Sequence, residues 1–97
     1  MHSIVDTVNL DESYLEIREE RIAYFTTRNG KIGYKVVGYV IVRVKILEQS
    51  SLSLTRAIEE FWHDGKFVPC SHSRGELFDT LEEARETATW LALGEAA

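Results

Sequence analysis

The chain has one cysteine, one proline and, at position 1, one methionine among 97 residues. A lone Cys70 rules out an intramolecular disulfide and any metal framework built on paired cysteines, and it fits a reducing compartment. The start, Met1-His2-Ser3-Ile4-Val5-Asp6, has neither a basic segment nor an apolar run of signal-peptide length, so no export is expected. Long hydrophobic runs are missing too. The most apolar stretch, Val36 to Leu47, is broken by Arg43 and Lys45 and falls well short of the roughly 20 residues that span a bilayer. The expectation is a soluble cytoplasmic protein with no membrane partner. Glycine loops for nucleotide phosphates, metalloprotease helix signatures and nucleophile elbows are likewise absent, which leaves no common catalytic motif and implies no cofactor.

Composition is ordinary for a folded domain, with 44% hydrophobic and 28% charged residues, far from the low-hydropathy, high-charge regime of disordered chains. At this length there is material for one core, and no linker or internal repeat divides it, so residues 1–97 read as a single domain.

The net charge of −5 conceals a segregation. Six acids face only Arg18 in residues 1–20, residues 21–47 carry six bases and no acid, and residues 48–97 carry ten acids against four bases. Either neighbouring elements neutralise each other or the molecule presents surfaces of a single sign that steer partners.

Asn29-Gly30 signals a β-hairpin, because both residues tolerate the positive φ of a type I′ turn. A two-residue loop there sets Phe25 opposite Tyr34, Tyr24 opposite Lys35 and, further down, Glu16 opposite Arg43, with a strand from Tyr14 to Arg18 extending the ladder. In unbroken alternation Ile32, Tyr34, Val36, Val40, Val42 and Val44 share one face. A bulge at Gly33 or Gly38 would swap the downstream half, and a bend near Glu19-Glu20 is expected because Glu19 otherwise lands among apolar residues. From Ser53 the residues Leu54, Ala57, Ile58, Phe61 and Trp62 recur at helical spacing, with Arg56, Glu59 and Glu60 opposite, and predict a first helix. Asp64-Gly65 ends that helix or makes a second tight turn, and Pro69 confines Phe67 to Cys70 to an edge or loop. The clearest helix follows Thr80-x-x-Glu83, a capping box, with Gly94 as its expected terminator and Leu81, Ala84, Ala88, Leu91 and Ala92 as a stripe suited to packing on a sheet. The resulting class is α+β, a small antiparallel sheet built on a long hairpin with one or two helices packed on one face.

Three groups of residues could carry a function. The two helices would present Glu59, Glu60, Glu82, Glu83, Glu86 and Trp90, an acidic surface with an aromatic anchor of the kind that docks on a protein partner with a basic surface. A strand face with Tyr24, Lys35, Tyr39 and Arg43 joins phosphate-pairing cations to rings on which bases stack, which suits nucleic acid, although the net negative charge opposes it. His63, Cys70 and His72 form a third cluster, short of the four ligands of a structural zinc site and without an orienting group for a nucleophilic thiol. An open strand edge offers a further contact, a second copy giving a homodimer.

In size and acidity the chain looks like the small inhibitors carried by phages and mobile elements, including anti-CRISPR and other anti-defence proteins. That resemblance implies a non-enzymatic inhibitor or adaptor whose carboxylates occupy a nucleic-acid groove on a basic, nucleic-acid-handling target.

Overall fold

The computed structural model describes residues 2–26, 30–49, 55–70 and 75–96. Five strands, β1 (His2–Asn9), β2 (Ser13–Thr26), β3 (Lys31–Gln49), β4 (Thr55–His63) and β5 (Lys66–Pro69), form one antiparallel meander in the order β1-β2-β3-β4-β5. Among the described residues a single helix, α1 (Leu81–Ala96), packs against it. The expected α+β class is what the chain adopts, with one helix.

The hairpin of β2 and β3 dominates the fold. Its strands pair from Thr26↔Lys31 down to Ser13↔Lys45, and Gly30, just before β3, has φ 62°. Asn29, with its expected turn, lies outside the described residues, and the expected register is corrected: Phe25 faces Ile32, Tyr24 faces Gly33 and Glu16 faces Val42. Below the tip the register shifts between Arg21↔Val36 and Glu20↔Gly38, leaving Val37 as the extra residue of a bulge. The bulge swaps the alternation of β3. Ile32, Tyr34 and Val36 therefore lie on one side of the sheet and Val40, Val42 and Val44 on the other.

β1 and β4 flank only the lower half of this hairpin, since β1 reaches Glu20 and β4 pairs from Gln49 to Val42. On one face there, Leu15, Ile17 and Ile41 are fully buried under Ala84 and Ala88 of α1, with Val8, Leu10, Trp62, Phe67 and Leu81 packed around them. Each such aliphatic side chain contributes about 1.5–3 kcal/mol of transfer free energy. The small alanines let the helix sit close. On the opposite face Val40, Val42 and Val44 are buried with Tyr14 and Phe61 against them.

Residues 75–78 bridge β3 and β4 where the two strands part. Glu76 N donates to Trp62 O at 2.7 Å, and Tyr39 and Phe78 exchange backbone bonds at 2.8 and 2.7 Å. Gly75, at φ 78°, lies against the Phe61 side chain, and Leu77 and the Phe78 carbonyl sit where Gly38 lacks a Cβ. Phe78 itself reaches the helix-covered core.

The predicted first helix is a strand. Ala57, Ile58, Phe61 and Trp62 satisfy a helical stripe, but as β4 they divide between two faces that both need apolar cover, and Trp62 meets Phe67 edge-on at 5.1 Å. Asp64 and Gly65, at φ 51° and 79°, make the second tight turn, and Pro69 ends the edge strand β5. Gly94 does not stop α1, which continues to Ala96. At its other end Thr80 Oγ1 accepts from Glu83 N at 3.2 Å, the expected cap.

Candidate functional site

Alternation in β4 sends Glu59 and Glu60 to opposite faces, and each meets a cation. Glu60 accepts from Arg43 at 2.8 Å, and the Arg43 guanidinium stacks over the Phe67 ring at 4.2 Å. Glu59 accepts from Arg18 Nη2 at 2.8 Å, and Arg18 Nε also binds the buried Glu16 at 3.0 Å. Burial works against the Arg18 guanidinium, but hydrogen bonds to Glu59 and Glu16 outweigh it and hold its pKa above the usual arginine range. Neither Glu59 nor Glu60 therefore belongs to an acidic helical surface. Their helix is absent, and their charge is committed within the sheet.

Glu82, Glu83, Glu86 and Trp90 do lie together on α1. Ala84 and Ala88 turn the helix so that Glu82, Glu86 and Leu93 point away from the sheet, with Trp90 beside them and Glu83 at the margin. Trp90 and Leu93 are 67% and 66% exposed. They line a shallow, mainly apolar hollow with Glu82, Arg85, Glu86 and Thr89. Arg85 turns toward Asp6 of β1 at 3.0 Å, which leaves the outer face acidic.

The predicted basic strand face is divided by the bulge at Val37. Tyr24 and Lys35 lie on one side of the hairpin, both exposed, with Tyr24 stacked over Gly33. Tyr39 and Arg43 lie on the helix-covered side, half-buried, with Tyr39 packed on the core and Arg43 bound to Glu60. The four do not form one surface.

His63 is exposed at the β4–β5 turn, Cys70 is half-buried after β5, and His72 lies outside the described residues. Burial and then the nearby Glu59 carboxylate push the Cys70 thiol up, with Arg18 opposing them in part, so it is a poor nucleophile near neutral pH. Among the described residues no three His, Cys, Asp or Glu side chains converge as metal ligands. A polar hollow of about 600 Å³ lies elsewhere, lined by Asp11, Glu12, Ser13, Arg43 and Lys45, where both charge signs meet. No helix among the described residues is long and apolar enough to cross a membrane.

Sequence reasoning overlooked the upper half of the hairpin as an apolar surface. Arg21↔Val36 to Thr26↔Lys31 form a two-stranded arm, residues 21–26 and 31–36, that projects beyond β1 and β4. Ile22, Tyr24, Ile32 and Tyr34 in it are 52%, 49%, 59% and 54% exposed. The radius of gyration, 15.7 Å, exceeds the roughly 13 Å of a compact chain this long, as a projecting arm requires.

No protein-family model, curated protein or solved structure matches the chain.

Proposed function

We propose that the protein is a non-enzymatic binding module that docks the outer face of α1 on a basic surface of a protein partner. The exposure of Trp90 and Leu93 beside Glu82 and Glu86 carries this reading. A helix that already buries its alanine stripe gains nothing for its own fold from a second apolar patch, whereas an aromatic anchor rimmed by charge is the usual centre of an interface. The contact set is Glu82, Glu83, Glu86, Trp90 and Leu93. Its partner presents cations around an apolar hollow, as does a nucleic-acid-handling groove in which carboxylates replace phosphates. Such a role is that of an inhibitor or adaptor. Affinity capture from host lysate after nuclease treatment tests it: a stoichiometric protein retained by the wild type and lost by folded Trp90→Ala supports it. Retention by both Trp90→Ala and the Glu82/Glu83/Glu86→Lys variant contradicts it.

A second reading, nucleic-acid binding, draws on one side of the arm, where the exposed ring of Tyr24 accompanies Lys35. Titration with a single-stranded oligonucleotide at low salt separates the two, since only the second reading expects micromolar binding that Tyr24→Ala removes.

A further inference from the structure

The arm and the outer face of α1 are complementary to each other. Following the register, one side of the arm carries Ile22, Tyr24 and Lys35, two apolar side chains and a cation. The outer face of α1 carries Trp90, Leu93, Glu82 and Glu86, two apolar side chains and two carboxylates. Their lengths agree as well: six residues of ribbon span about 20 Å and a 16-residue helix about 24 Å. Within one chain they do not meet, because α1 lies over Leu15, Ile17 and Ile41, toward the end of the hairpin away from its tip.

We infer that the arm of one copy lies across α1 of a second copy, and reciprocally, in a two-fold dimer. This rests on the reading of α1 as a docking face for a basic partner and names that partner as the chain itself. Three observations select this arrangement. Two-stranded ribbons are marginal in water, and on this side Ile22 and Tyr24 are about half exposed, with no cover from the described residues. Pairing arm with arm through this side would set Lys35 against Lys35 with no acid between residues 21 and 36 to separate them, Arg21 being already bound to Glu19 at 2.5 Å. A two-fold axis repeats the ribbon–helix contact, and two contacts of this length approach the roughly 1,600 Å² of a standard stable interface. A nucleic-acid duplex would engage Lys35 but leave Ile22 beside it uncovered.

Sedimentation equilibrium of the full chain at low ionic strength, with circular dichroism to check folding, tests the inference. Expected is a dimer at micromolar concentration that Lys35→Glu or Glu86→Lys each weakens about tenfold, while an equimolar mixture of the two variants regains wild-type affinity. In that mixed dimer one contact carries both reversals and the other neither, so both are favourable. Trp90→Ala is expected to weaken association at least thirtyfold. A chain that is monomeric up to about 200 µM overturns the inference, as does a dimer indifferent to Glu86→Lys and Trp90→Ala, or a mixture that associates no better than its components. Failure here leaves the α1 reading intact if lysate capture still depends on Trp90; loss of that dependence fails the reading itself.

Discussion

The two halves of the β2–β3 hairpin are built from the same kinds of residue and meet opposite fates. In the lower half Leu15, Ile17, Ile41 and Val42 are fully buried; in the upper half Ile22, Ile32 and Tyr34 stand more than half exposed. β-Branched and aromatic side chains suit a pleated strand in both places. What differs is the company: β1, β4, α1 and residues 75–78 surround the lower half, and the arm has only its own two strands. Burial is thus a property of what lies on either side of a strand. A residue pattern that makes a core below makes a binding surface above.

Truncating matched residues in the two halves should give the largest contrast. Ile17→Ala removes a fully buried side chain beneath Ala84 and Ala88 and should lower stability by about 3–4 kcal/mol, whereas Ile32→Ala in the arm should lower it by less than about 0.5 kcal/mol in a dilute sample. Urea unfolding measures both, and equal losses would erase the distinction. A smaller contrast is expected at two glycines. In Gly38→Ala the new methyl meets Leu77 Cγ at 2.6 Å and the Phe78 carbonyl at 2.7 Å, and because backbone cannot swing aside the loss should be about 2 kcal/mol. Gly33→Ala meets only the exposed ring of Tyr24, at 2.7 Å, which rotates away, so its loss should stay under about 0.5 kcal/mol. The smallest effect concerns pH. Because burial raises the Cys70 pKa above its unfolded value, the folded state favours the thiol; the associated stability is complete below the unfolded pKa and fades as pH rises through the folded one. Alkylation of native protein should therefore titrate at a higher pH than alkylation of the urea-unfolded chain, and the reverse order would misplace Cys70.

Much of this fold was legible in the residues. The capping box at Thr80 and the stripe from Leu81 to Ala92 locate α1, and the 100° step between residues sets Trp90, Glu82, Glu83 and Glu86 away from that stripe, where the structure has them. The hairpin was legible and its register was not. The Thr26↔Lys31 register at the tip and the extra Val37 each move every later side chain; the first leaves no mark in alternation, whereas the second falls where the register shifts between Glu20 and Arg21, beside the bend that Glu19 among apolar residues calls for. β1 escaped notice for a related reason: a register shift between Ile4 and Asp6 breaks the spacing of Ile4, Val5 and Val8. β4 was misread because its apolar residues fit both periods. The decisive facts, Arg43 facing Glu60 and Arg18 reaching Glu59, belong to other strands, and they also remove Glu59 and Glu60 from the docking surface.

If the arm is incomplete alone and is completed by a second molecule, amide hydrogen exchange at two protein concentrations should separate it from the rest of the hairpin. In dilute protein the amides of residues 21–26 and 31–36 should open at a free energy at least about 2 kcal/mol below those around Ile17 and Ile41, and should gain protection as concentration rises while the lower half stays unchanged. Arm amides as protected as the lower half in dilute monomer, or unprotected at every concentration, would contradict it.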